Sequence, residues 1–419
     1  MSSAEKPFEW RAYAILSVLV LLAVTAAAVM TRLWVLTAIP VGFLFGFFLK
    51  KGELCGASAF SEVILFRDRG KMIGLWTAIV VAMAGFAVID LLGWVQLNPK
   101  PMTWLSYIVG GLLFGTGMVL AGGCVSGCLF KAGAGNLNAM AGVVGIPLGI
   151  ALVEYGPLHS LHVYMKGFVL KSAAGGPVTF SSLTGLPFWG LAGLFGLLTL
   201  LFVYFNDRHK KNPQSKTLSK QDRKTLLTRP WKPWQAGLAI GLLSILAYLS
   251  SAAAGRNYPL GVTHGVLHVQ LLMTESDLNV VWHRNAPQTI TAPNALESAG
   301  KNRSNPKPGP DKGYPRKKVV LWLVGLVCSL VAGSWMAAKL SGNLKVLPKP
   351  PGQVMLAFMG GLLVGTGAAF AKGCVIGNIL SGWALMSVGT VLFGVVTILA
   401  NWATTYFYLM GGTVSELFE

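Results

Sequence analysis

The sequence predicts an all-α polytopic membrane protein with about nine transmembrane helices, broken or re-entrant half-helices, and an internal duplication. Three observations carry this. Of 419 residues 53% are hydrophobic and only 12% are charged, and the mean hydropathy is +0.60. Apolar runs of about 18 to 22 residues recur along the chain, the length needed to cross a bilayer core of roughly 30 Å. Finally, GGLLFGTGMVLAGGCVSGCL from Gly110 returns as GGLLVGTGAAFAKGCVIGNI from Gly360, with 12 of 20 positions identical. Each copy reads as a helix that breaks at depth on glycine and restarts on a cysteine, Cys124 or Cys374.

The net charge of +19 does not point to nucleic acid. The Lys and Arg residues lie between the apolar runs, where they set topology by the positive-inside rule. Five cysteines, Cys55, Cys124, Cys128, Cys328 and Cys374, form neither a disulfide framework nor a zinc pattern. Cys328, in WLVGLVCSLVAG, reads as a small buried hydrophobe. No nucleotide loop, metal cluster or haem site is present, so no cofactor and no enzymatic role is expected.

In chain order, residues 1–155 form the first membrane repeat. Its opening apolar run, Ala12 to Met30, reads as a retained span rather than a cleaved signal, because a similar run at Gln235 to Ser251 precedes the second half. The spacing of Pro40, Gly42 and Gly46 returns at Pro259, Gly261 and Gly265, a second apparent match between halves. Asp90, near the end of the span Ile73 to Val95, reads as an interfacial residue or a cation-coupling acid. Residues 156–234 hold a wet loop, a linking span from Leu186 to Tyr204, and a basic cytoplasmic segment with nine Lys and Arg between Asn206 and Lys232. Residues 235–419 form the second repeat, interrupted by a polar insertion at about 274–318 with the composition of a disordered loop. An even number of spans per half plus one linking span would invert the second copy.

A helix broken at mid-depth is tolerated only inside protein or along a wet cavity. Its restart offers unpaired N–H groups and the positive end of a helix dipole to an anion. Duplicated halves whose broken helices meet near the midplane are the plan of many secondary transporters. For Gly110 to Gly117, close helix packing and site formation are equally open readings. For Gly122, Gly123 and Gly373 and their cysteines the site reading is preferred. Thiols at such an anion site suit a soft sulfur or selenium atom. Lys372, which stands where the first copy has Gly122, adds positive charge or snorkels. Two other classes compete: a thiol-redox protein working through Cys124 and Cys128, and a structural subunit whose glycines only pack. Asn378 in place of Cys128 in the second copy and the poor placement of i, i+4 cysteines for a disulfide weigh against the redox reading.

The paired GGLL-x-G-x-G…GC elements, with an upstream cysteine followed by Phe66, Arg67 and Asp68, resemble the YeeE/YedE family of membrane sulfur-compound transporters. The cysteine order is most similar to its thiosulfate-uptake branch. The resemblance covers roughly 36–145 and 259–401 and departs at Lys372, where the second copy has Lys-Gly-Cys for Gly-Gly-Cys. It implies a multi-pass protein of the bacterial inner (plasma) membrane, surrounded by lipid. It also implies thiosulfate or a similar inorganic sulfur anion as cargo, three cysteines passing it through a narrow waist by S–H···S contacts, and a small cytosolic sulfur-carrier partner. By motif those cysteines are Cys55, Cys124 and Cys374. A selenium compound is the alternative cargo.

Overall fold

Long apolar helices dominate the computed structural model of the chain, which describes residues 10–172, 175–209, 229–276, 278–281, 317–342, 344, 346 and 349–411. Nine helical segments among the described residues are long and apolar enough to cross a membrane, the expected number. Helix α1 (Trp10–Thr31) is followed by α2 (Ala38–Gly52), α3 (Gly56–Leu65), α4 (Gly70–Leu91), α5 (Trp104–Leu120), α6 (Val125–Gly133) and α7 (Leu137–Glu154). After α8 (His159–Lys166), α9 (Phe180–Thr184) and α10 (Phe188–His209) come α11 (Pro233–Ala253), α12 (Thr263–Thr274) and α13 (Leu321–Leu340). Helix α14 (Pro351–Phe370) precedes α15, a π-helical turn at Val375–Leu380 that runs into Ser381–Ala384. The last helix is α16 (Val388–Thr404).

Local chemistry sets several of these ends. The Asn136 side chain accepts a hydrogen bond from the Ala139 N–H at 3.1 Å and starts α7, satisfying one of the donors that every helix N-terminus leaves open. Proline at the first position opens α11 and α14, where its missing N–H and fixed φ do no harm. Helix α1 is apolar all round and only 6% of its span is buried, so it faces lipid.

The helices pack closely because glycines face backbone. A Cβ on Gly46 of α2 would lie 1.9 Å from the Leu330 carbonyl oxygen of α13, and one on Gly237 of α11 would lie 2.0 Å from that of Gly74 in α4. Gly149 of α7 meets Leu362 of α14, and Gly115 of α5 meets Thr397 of α16, in the same way. Between α5 and α14 the order reverses. Gly110 faces Gly367 while Gly117 faces Gly360, so these two helices cross antiparallel. The open question about Gly110 to Gly117 is answered locally: Gly110, Gly111, Gly115 and Gly117 each abut a neighbouring helix.

Strands are few. β1 (Met102–Thr103) pairs antiparallel with β2 (Val169–Leu170), and β3 (Leu278–Val281) pairs in parallel with β4 (Lys317–Val320). The loop after α7 is therefore built rather than wholly wet. It is tied through Phe180 N–H to Met386 O and Val388 N–H to Val178 O onto the turn between α15 and α16. Most of the basic segment and of the polar insertion lies outside the described residues.

Two sequence expectations differ from the structure. The Pro40–Gly46 spacing falls inside α2, whereas Pro259 and Gly261 fall in the non-helical stretch before α12 and only Gly265 lies in that helix. The shared spacing therefore sits in different local structure at the two places; α2 packs parallel on α13, and α11 packs parallel on α4. Cys328 is exposed on the outer face of α13 rather than buried, because the packed face of that helix is the one carrying Leu326, Ser329, Leu330 and Gly333.

Candidate functional site

Among the helices that end in a left-handed residue, three have a buried cysteine two positions after that residue. In α5 the Gly122 N–H bonds Val119 O and the Gly123 N–H bonds Met118 O, the paired bonds of a Schellman end. Gly122 has φ +66, the left-handed conformation such an end needs. In α14 the bonds are Lys372 to Ala369 and Gly373 to Ala368, with Lys372 at φ +52. In α2 they are Glu53 to Lys50 and Leu54 to Leu49, with Glu53 at φ +47. The chain then extends for one residue, Cys124, Cys374 or Cys55, and the next helix starts. None of the three cysteine side chains caps its helix, so first-turn N–H groups there lack a cysteine acceptor; Cys124 Sγ instead pairs with Ser126 Oγ at 3.4 Å.

The three breaks converge. All three cysteines are at most 1% exposed. A Cβ on Gly127 would sit 2.4 Å from Cys55 Sγ and 3.4 Å from Cys124 Sγ, and one on Gly56 would sit 2.8 Å from a Val375 methyl group. Cys55 thus lies between the Cys124 break and the Cys374 break. A void of only about 10 Å³ remains there, lined by Leu54, Cys55, Gly56, Val375 and Ile376 among others. This is too small for any sulfur oxyanion, so the structure is closed at the cysteines.

Cavities lie on either side of this closure. One of about 440 Å³ reaches Ala121 and Gly122 and is lined by Lys50, Lys131 and Lys349, with Glu53. Lys50, in its lining, precedes Lys51, whose carbonyl accepts the Trp231 N–H just before α11. The other, about 160 Å³, reaches Lys372, Gly373 and Gly377 and is lined by Lys100, Arg256, Tyr258 and His264. It lies at the opposite end of α11, a helix of 21 residues and so about 30 Å long.

The surroundings of the two breaks correspond atom by atom. Cys128 donates to Gly123 O at 3.5 Å and reaches Ala121 O at 4.0 Å; the Asn378 amide donates to Gly373 O and Ala371 O. Lys131 Nζ donates to Gly122 O at 2.5 Å, and Lys100 Nζ to Lys372 O at 2.7 Å. Cys128 thereby holds the break as an amide does in the other copy, and it is a free thiol. Burial lowers the Arg256 pKa to about 10. Arg256 donates to the carbonyls of Tyr258 and Pro259. Among the described residues no carboxylate pairs with Lys100 or Arg256 within 4 Å, and burying such charges unpaired is costly.

All seven residues singled out in the sequence, Cys55, Cys124, Cys374, Gly122, Gly123, Gly373 and Lys372, lie at these breaks. Their parts differ. Gly122 supplies the left-handed turn. Gly123 and Gly373 admit Cys128 and Asn378, since Cβ atoms there would come within 3.2 Å and 2.6 Å of Cys128 Sγ and Asn378 Oδ1. Lys372 does the turn without glycine. Sequence reasoning missed Lys100, Lys131, Arg256 and Gly127. Lys131 follows Cys124 in the same helix and was visible, whereas Lys100 reaches Lys372 from 272 positions away. A non-glycine residue in the left-handed region bears roughly 1 kcal/mol of strain. Lys372→Gly is therefore expected to leave the thermal midpoint of the purified protein unchanged or raised, while Lys372→Ala, which keeps the Cβ and its strain, gains nothing; a lowered midpoint for the glycine variant would contradict this account.

A multi-pass membrane protein with two basic cavities, each beside a helix break with a buried cysteine, has the architecture of a transporter, and the sequence comparisons agree. The family profile described as "Sulphur transport" matches residues 51–403, and the chain belongs to that family. It is 30% identical over 383 residues to a Spirochaeta thermophila protein named thiosulfate transporter TsuA, covering 88% of this chain and 98% of that one. It is 25% identical over 358 residues to the Escherichia coli protein of the same name, covering 84% and 88%. A shorter match, 32% over 121 residues, covers 28% of this chain and 29% of the probable transporter YedE of Escherichia coli. The protein is a membrane transporter of a sulfur compound, not an enzyme.

Proposed function

We propose that the protein takes up thiosulfate, or a closely related inorganic sulfur anion, and passes it between Cys374, Cys55 and Cys124 without covalent capture. The observation that carries this reading is the threefold helix end: three buried thiols, each at a helix restart, gathered between two basic cavities. Thiosulfate has a soft terminal sulfur and a hard sulfonate. A thiol offers a weak S–H donor to the first, and lysine, arginine and helix N–H groups suit the second. Neutral thiols are required, because a thiolate would repel the dianion. The cargo enters at the cavity of Lys100 and Arg256 and leaves at that of Lys131. That direction follows from the positive-inside rule: Lys50, Lys51, Arg67, Arg69, Lys71, Arg229 and Lys232 gather at the Lys131 end, which is therefore cytoplasmic. A small cytosolic sulfur carrier would receive the anion there.

The two halves are read as an inverted repeat, residues 1–155 and 235–419, joined through 156–234. The antiparallel crossing of α5 and α14, and the exchanged pairs α2 with α13 and α11 with α4, support this reading. The test is uptake of labelled thiosulfate into cells lacking other routes, with sulfate, sulfite and selenite as competitors. Saturable uptake that sulfate does not block is expected. Selenium uptake without thiosulfate uptake would move the cargo to a selenium compound, and no uptake of either would defeat the reading.

A further inference from the structure

We propose that Lys100 is a proton-binding site of the outer cavity, and that an anion binding there takes up a proton from solution. The inference rests on the transport reading above and adds a coupled ion to it.

The geometry is that of an amine satisfied in its neutral form. Lys100 Nζ donates to Lys372 O and to Asn378 Oδ1, both at 2.7 Å. The amide orientation is fixed, since Asn378 Nδ2 already donates to Ala371 O and Gly373 O. A neutral amine has two N–H groups for these two acceptors and keeps a lone pair. Protonation adds a third N–H, for which the described residues provide no further acceptor; Nζ stands 4.9 Å from the Tyr258 ring centre and lines the cavity. An anion in the cavity would be the partner of that third donor.

Burial and the neighbouring cations Arg256 and Lys372 favour the neutral amine when the cavity is empty, against Cys374 and the Tyr258 ring. Arg256 and Tyr258 face it from the stretch before α12, Lys372 and Cys374 from the α14 break, and His264 from α12 across the same cavity. No carboxylate is among them. Burial lowers the Lys100 pKa to about 7, with Arg256 and Lys372 adding to the fall and Cys374 opposing it. A dianion a few ångströms away reverses this balance and raises the pKa. Binding is therefore strongest below the empty-site value and weakens as pH rises through it.

Calorimetric titration of the purified protein with sodium thiosulfate, at pH 6 and pH 8 and in two buffers of different ionisation heat, tests the inference. The dissociation constant is expected to be about tenfold larger at pH 8 than at pH 6. At pH 8 about 0.9 proton should be taken up per anion bound. Lys100→Arg, which stays charged, should bind with little pH dependence and no proton uptake. Equal affinity at the two pH values with no proton uptake would overturn the inference and leave the transport reading standing. The same holds if Lys100→Arg keeps the full pH dependence and proton uptake. No binding at either pH would defeat both.

Discussion

Replacing Cys374 with alanine is expected to abolish most thiosulfate uptake in a protein that still folds and inserts. The side chain is fully buried, and its loss removes one sulfur atom from a site that has no other soft donor on that break. Hydrogen bonds to charged groups contribute about 1.5–3 kcal/mol, so uptake should fall about 10- to 150-fold. The backbone of the break should persist, because the Schellman bonds and the Asn378 amide hold it independently of the thiol. Cys124→Ala should show a loss of similar size, since the two thiols stand at corresponding positions on opposite sides of Cys55. Serine at either position keeps a donor but exchanges a soft contact for a hard one, and should impair uptake as well. Initial rates of labelled uptake, normalised to inserted protein, are the measurement. Full activity in either alanine variant would remove the relay.

Gly365→Val is expected to prevent accumulation of folded protein. A Cβ at Gly365 would lie 2.1 Å from the Ile146 carbonyl oxygen and 2.9 Å from its carbon. Both are backbone atoms, so relief requires α7 and α14 to separate along a contact that also includes Gly145, Gly149 and Gly361. Overpacking by a methylene or two costs about 1–3 kcal/mol where side chains can move, and here they cannot. Gly193→Val or Gly196→Val in α10 is the control, because nothing lies within 4 Å of either position. Size-exclusion profiles and thermal midpoints after detergent extraction distinguish the two cases. Equal yields of the Gly365 and control variants would mean that the close contact does not support the fold.

The membrane class and the two central breaks were legible from hydropathy and from the repeated GGLL…GCV stretch, because glycine beside cysteine marks a helix end in plain text. The third break was not. At Cys55 the left-handed residue is Glu53, and the stretch lacks the repeated GGLL…GCV pattern that marks the other two, so the turn is visible only in its backbone bonds. The spacing at Pro259–Gly265 is only partly like that at Pro40–Gly46: Gly265, like Gly42 and Gly46, meets the backbone of α13, whereas Pro259 and Gly261 lie in a non-helical stretch before α12. The charged groups of the cavities were hidden in another way. Lys100 and Arg256 lie in short connecting stretches where a cation ordinarily signals topology, and only the folding of the chain brings Lys100 under the second break. Cys128 and Asn378 differ in chemistry yet hold equivalent carbonyls, an equivalence that the alignment exposes as a difference.

Because the two cavities approach the cysteines from opposite ends, the barrier between them is thin, a few side chains deep around Cys55 and Val375. Membrane voltage falls across whatever excludes water, so most of it acts within this septum rather than over the whole bilayer. Moving one charge through 100 mV involves about 2.3 kcal/mol, and a dianion therefore meets about 4.6 kcal/mol of opposition when driven inward against an interior-negative potential. That work is concentrated at the handover between thiols, which makes the step past Cys55 the one whose rate a change in membrane potential should alter most.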